Sequence, residues 1–191
     1  FQADSAVADM APWSDAYAVA MRRVFQQFPE DLDVIMLCVD AMMNRTPWLM
    51  WDLCEGVPNP DADTVECRQM LETQIASIRA ESGSFHPGIW HLYVHLMEMS
   101  PEPEKALRVA DELRGLVPDA GHLEHMSTHI YVLCGDYQAV VAANHAGIVA
   151  DEKYLAYAGA MNIYTLYRGH NYHFKLYGAM FLGQYDAAME A

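Results

Sequence analysis

Nine histidines punctuate this chain, and seven of them fall on a helical grid. His91 and His95 are spaced i, i+4, and so are His125 and His129, which repeat them at a constant offset (125 − 91 = 129 − 95 = 34). His122 and His125 recur as His170 and His173, both shifted by 48. Residues at i and i+4 share one helix face, so each such pair can chelate a single ion. Equivalent positions in successive helical units stack beside one another, which turns separate pairs into one imidazole-rich surface. The expected ligand set is therefore His91, His95, His125, His129 and His173, converging on one or two transition-metal ions. Glu98 lies at i+3 from His95 and i+7 from His91, on the same stripe. It can serve as a ligand, as a hydrogen-bond partner to a ligating ring, or as a base. With His122 and His170 it makes up the expected set of catalytic acid–base groups. Imidazole suits copper, iron, zinc and nickel alike, and spacing does not choose among them.

Each element also has a plainer reading. A lone H-x3-H on a helix is weak evidence for a metal. In that reading, the register reports duplication of a helix whose histidines bond to neighbouring backbone. Glu98 can equally be a solvated helix residue. His86, just before Pro87, is placed to cap or turn, with ligation as its lesser role. His145 follows Asn144 on the other helix of its hairpin and should face away. Most of the 13 methionines are expected as core filler.

The elements that must position these groups are helical nearly throughout. Ser14 can cap a helix to about Phe28, which Pro29 ends. A second helix spans Asp31 to Asn44, and residues 54 to 61, with Gly56, Pro58 and Pro60, form the clearest loop. Asp63 and Glu66 make a capping-box pattern for a helix to about Ser82. Pro87 suits the first turn of the helix carrying His91, His95 and Glu98. Ser100-Pro101 starts another, ending near Pro118. Asp119 can cap the helix of His122, His125 and His129, which Gly135 terminates, and Tyr137 to about Asp151 follows. No strand of convincing alternation is present.

The repeat extends beyond histidine. At the offset of 34, Ala106-x3-Ala110-x2-Leu113 aligns with Val140-x3-Asn144-x2-Gly147. At the offset of 48, Gly135-Asp136-Tyr137-Gln138-Ala139 aligns with Gly183-Gln184-Tyr185-Asp186-Ala187. These two segments look like the junction of tetratricopeptide repeats, whose unit is a pair of helices with a period of about 34 residues. More narrowly, Gly121-His122-x2-His125-Met126-x2-His129 and His170-Asn171-Tyr172-His173-Phe174 resemble a histidine-rich bacterial branch of that family. The resemblance covers roughly residues 86 to 191. It implies an all-α, TPR-like stack of antiparallel helical hairpins, with residues 1–82 as diverged helical repeats and 83–191 as repeats with a histidine-lined groove. The difference 48 − 34 = 14 implies an insertion at about 152–169, containing Tyr154, Tyr157, Tyr164 and Tyr167, as packing aromatics or a lid. The resemblance also implies that His91, His95, His122, His125, His129, His170 and His173 point into the concave groove.

Composition narrows the function classes. The net charge of −15 argues against nucleic acid and against anionic lipid as partners. No apolar run is long enough to span a bilayer. Cys38, Cys54, Cys67 and Cys134 contain no C-x-x-C pair and read as free thiols of a reducing, cytoplasmic setting, two disulfides being the alternative. The chain opens at Phe1 without Met and stops at Ala191 inside a predicted helix, as expected of a fragment. G-x-S-x-G, the P-loop and G-x-G-x-x-G are absent. The expected function is a metal-dependent enzyme, an oxidoreductase acting with dioxygen before a hydrolase, taking a small molecule or peptide in the groove. The alternatives are a TPR scaffold that binds a peptide or partner protein, and a storage protein for metal. Metal affinity should fall towards pH 5, as imidazoles with an unperturbed pKa of about 6.5 gain protons.

Overall fold

Helix stops and starts in the sequence become helix boundaries in space. The structure is a computed structural model that describes residues 10–81 and 83–191. The chain is all-α. Among the described residues it forms α1 (Ala11–Gln27), α2 (Leu32–Met43), α3 (Thr64–Ala80), α4 (Pro87–Glu98), α5 (Leu107–Leu113), α6 (Gly121–Met126), α7 (Thr128–Cys134), α8 (Tyr137–Ala158), α9 (Thr165–Leu182) and α10 (Tyr185–Glu190). None of these helices is long and apolar enough to cross a membrane.

Several local expectations hold and several shift. Asp31 caps α2, its carboxylate accepting from the Val34 amide at 3.0 Å. The first helix starts at Ala11, earlier than Ser14, because Pro12 pre-sets its first turn. Asp63 occupies the cap position of α3 but makes no capping bond. Its carboxylate is instead held by Arg22 at 2.7 Å and Arg45 at 2.5 Å, and Glu66 is held by Arg22 at 2.6 Å. Charge-assisted pairs win over the capping box, and in doing so they tie α1 and α2 to α3. The helix expected from Ser100 begins as a 3-10 turn at Pro103–Ala106 and ends at Leu113, short of Pro118. Asp119 pairs with Lys153 at 2.5 Å instead of capping, and α6 starts at Gly121.

The loop at 54–61 lies in a minimal hairpin, β1 (Trp51–Asp52) against β2 (Val57–Pro58), with strands too short for alternation to register in sequence. Asp52 accepts from the amides of Cys54 and Glu55 to make the turn. Trp51 fastens the hairpin to the histidine-bearing helix α4, its indole N–H donating to the Leu96 carbonyl at 2.7 Å. One core runs through both halves of the chain, with Met42, Leu71 and Ile75 packed in the same cluster as Trp90, Val94, Leu113, Met126 and Ile130.

The repeat is visible bond for bond in two helix ends. Gly135 adopts φ 79° and Gly183 φ 67°, the left-handed conformation in which glycine carries no Cβ penalty. The amide of Asp136 donates to the Tyr131 carbonyl at 2.9 Å, and that of Gln184 to the Ala179 carbonyl at 2.9 Å. Donor and acceptor are both shifted by the same 48 that relates the sequences. Short turns then reverse the chain into α8 and α10, which pack back on α7 and α9.

The expected insertion is a prolongation of helices. α8 continues past Asp151 to Ala158, and after a short connection α9 opens at Thr165. α6 meets α8 at Gly121, where an added Cβ would lie 1.9 Å from Asp151 Oδ1. Gly121→Ala is therefore expected to push α6 off α8 and destabilise the protein by about 1–3 kcal/mol in urea denaturation. Gly169→Ala, which meets nothing within 4 Å, should be neutral or slightly stabilising. Equal tolerance of both substitutions would refute this close packing.

Candidate metal centre

Six imidazoles form one contiguous group, divided into two triads. His91 and His95 on α4 join His122 on α6, and His125 on α6 and His129 on α7 join His170 on α9. Within each triad the candidate ligand atoms all lie within 4.8 Å of one another. The triads obey the repeat: 91 + 34 = 125, 95 + 34 = 129 and 122 + 48 = 170. Each takes an i, i+4 pair from one histidine helix and its third ring from the next. Two groups of three imidazoles with this spacing can each hold a metal ion. The single-residue interruption between α6 and α7 at Ser127 keeps helical dihedrals, φ −56° and ψ −26°, so His129 still follows His125 by one turn.

Glu98 joins the two triads. One carboxylate oxygen accepts from His95 Nδ1 at 2.8 Å, and the other from His129 Nδ1 at 2.5 Å. A carboxylate flanked by two imidazole N–H groups fixes both rings with their Nε2 lone pairs facing away from it. Asn144 does the same for His125. Its amide nitrogen donates to the Val140 carbonyl at 2.8 Å, leaving Oδ1 to accept from His125 Nδ1 at 2.6 Å. With both rings neutral and each Nδ1–H donating, His125 Nε2 and His129 Nε2 face each other as lone pairs 3.0 Å apart. Such an arrangement is repulsive unless a proton or a cation stands between the nitrogens. Two nitrogens on one tetrahedral ion at about 2.0–2.1 Å are separated by about 3.3–3.4 Å. In the other triad His91 Nε2 approaches His122 Nε2 to 3.1 Å, and His122 Nδ1 is buried without a partner. An orphaned buried nitrogen costs about 1–3 kcal/mol, which coordination would relieve.

Burial favours the neutral form of His91, His122, His125 and His170. His91 is pushed down to about 3, first by desolvation and then by repulsion from His95, His122 and His129. His122 is lowered to about 4 and His170 is also lowered, again chiefly by burial. His125 falls well below the ordinary histidine value for the same reason. Burial alone would raise Glu98, but the hydrogen bonds from His129 and His95 outweigh it and hold the carboxyl at about 2. The neutral forms of His91 and His122 thus stay dominant well below pH 6.5, so proton competition for these rings is displaced to more acid pH than their sequence suggests.

These histidines bind protons more weakly folded than unfolded. Their contribution to stability is therefore fully present above about pH 6.5 and is lost as pH falls below it. For the metal-free protein, each of His91 and His122 should cost about 2 kcal/mol between pH 6.5 and 5, at about 1.4 kcal/mol per pH unit. Denaturant titrations in chelator at the two pH values check this, and equal stabilities would refute neutral burial.

Of the residues expected at the site from spacing, His91, His95, His125, His129 and Glu98 stand together in the structure. His122 and His170, expected as acid–base groups, each complete one of the triads. His173, expected as a ligand, is exposed and belongs to neither triad. His86 is spent elsewhere, accepting from the Ile89 amide at 3.2 Å and contacting Asp33 at 3.1 Å. His145 is exposed on α8, outside both triads.

Other participants had little or no signal in the sequence. Phe174 packs its ring against His125, His129 and His170, with centroids 4.7–5.0 Å away, and its i+4 spacing from His170 is the one available clue. From the Tyr-rich stretch, Tyr164 accepts from the His122 amide at 3.2 Å and donates to Asp151 at 2.7 Å, while Tyr167 lies edge-on to the His122 ring. A cleft of about 710 Å³ opens over the imidazoles, and part of its wall comes from α2 and the following turn, including Asp40, Met43 and Trp48.

The all-α chain thus brings together two histidine triads, each of which could hold a metal ion. A scan of protein-family models, a search of curated proteins and a search of solved structures each returned no match.

Proposed function

We propose that this chain is a TPR-like metalloprotein that binds two transition-metal ions, one in each triad, and acts as an oxidoreductase with dioxygen. The observation that carries the reading is the 3.0 Å approach of His125 Nε2 to His129 Nε2, with the Nδ1 atoms of the two rings held by Asn144 and Glu98. The internal repeat supports it further, since both triads are built by one rule. Copper and iron suit adjacent all-imidazole sites that handle dioxygen, whereas zinc would suit activation of water for hydrolysis. Bound ions would supply the redox or Lewis-acid chemistry. The chain's own contribution is to fix the imidazoles through Glu98 and Asn144 and to shield one side with Phe174. It also leaves His91, His95, His122, His129 and His170 facing a cleft of substrate size. The four cysteines are free thiols, two of them exposed, which supports a reducing, cytoplasmic setting.

Elemental analysis of protein purified without chelator is the first test, and about two equivalents of copper or iron per chain are expected. Oxygen uptake with candidate substrates follows. Two equivalents of zinc with no oxygen uptake would favour the hydrolase, and absence of bound metal would favour a non-catalytic TPR scaffold that takes a peptide in the cleft.

A further inference from the structure

The cleft above the imidazoles has a polarity that metal binding does not explain. Its rim is apolar. Ile163 is 82% exposed and Leu166 77% on one side, and Trp48 is 68% exposed on the α2 side. Trp48 sits at φ 65°, where a bulky residue is an outlier costing on the order of 1–3 kcal/mol. The strained residue thus presents a large aromatic ring at the cleft rather than in the core.

The charged groups of the cleft are all of one sign. Among the described residues lining it there are two carboxylates, Asp40 and Glu98, and no Lys or Arg. Glu98 is committed to His95 and His129. Asp40 is half-buried on α2, and burial raises its pKa while a bond from Asn44 opposes the shift. No cation among the described residues pairs with it, although Lys and Arg form 12 ion pairs in the same structure. A carboxylate lacking a counter-ion, an exposed indole and an apolar wall form the set that recognises an ammonium on an apolar body. The net charge of −15 adds a long-range bias towards cations.

We propose that the cleft binds an organic amine, its apolar body against Trp48, Ile163 and Leu166 and its ammonium at Asp40, so that it lies over the two imidazole triads. As a substrate class this rests on the metal-enzyme reading, but binding of the amine requires no ion. Carboxylate-bearing analogues meet repulsion from Asp40, and neutral analogues gain only the apolar contacts.

The test is calorimetric titration of chelator-treated protein with 2-phenylethylamine, 2-phenylethanol and 3-phenylpropionate. The amine should bind at least tenfold more tightly than the alcohol, and the carboxylate more weakly than either. Asp40→Asn should abolish the tenfold preference for the amine over the alcohol. Trp48→Ala, at an exposed position, should weaken amine and alcohol together, with circular dichroism confirming the fold of both variants. Equal affinity for amine and alcohol, no amine binding, or an undiminished preference in Asp40→Asn protein overturns the proposal. Metal content is measured on a separate aliquot. Metal without amine binding would sink the substrate class and leave the metal centre standing, and amine binding without metal would do the reverse.

Discussion

A protein carrying His125→Ala is expected to lose one of two metal equivalents and keep the other. The register of the sequence suggests total loss, because His125 stands in the middle copy of the repeat. The geometry divides the labour differently. His122, one turn earlier, faces the α4 pair, while His125 faces His129 and His170. Removing the His125 ring leaves two imidazoles in its own triad, and a two-ligand remnant binds transition ions far more weakly than three. The triad of His91, His95 and His122 lies on the other side of Glu98 and retains all its rings. His145→Ala should leave both equivalents in place. Elemental analysis of the unsubstituted protein and the two variants, purified side by side, decides the matter. Full loading of His125→Ala protein would refute ligation, and complete loss would refute the division into two sites.

Glu98→Ala should damage both sites at once. Each of its oxygens orients an imidazole of a different triad, and loss of such a partner typically costs about 10–100-fold in metal affinity. Alanine removes both partners. Glu98→Gln keeps one accepting oxygen, so it should weaken one site more than the other. Chelator competition resolves the two equivalents and reads each affinity separately. A loss confined to one equivalent in the alanine protein would mean that the carboxylate serves only one ring.

Much of this site is legible in the sequence, because its positions are set by helix periodicity. The shifts of 34 and 48 link His91, His95 and His122 to His125, His129 and His170 without coordinates. His173 has the i, i+3 spacing to His170, but the grouped imidazole pairs are i, i+4, and His173 lies exposed outside both triads. The i, i+3 spacing of His95 and Glu98 makes that bond readable, but the reach of Glu98 to His129 crosses between helices. Asn144 fills a position where the repeat elsewhere has Ala110, so in the sequence packing alone accounts for it. Asp63 has a capping pattern, yet Arg22 of α1 and Arg45 of the turn after α2 claim its carboxylate. The wall around Trp48 brings together segments far apart along the chain, which no local pattern encodes.

The imidazoles of each triad come from helices separated by another helix, α4 with α6, and α6–α7 with α9. An ion that binds only when such helices are docked adds its binding free energy to the docking equilibrium. Coordination in the triads would thus act as a clasp between these helices. Local opening of α9 would have to break the bond to His170 first, so its amides should exchange with solvent more slowly in loaded protein than in stripped protein. Protection in α9 then becomes a direct gauge of occupancy, independent of turnover.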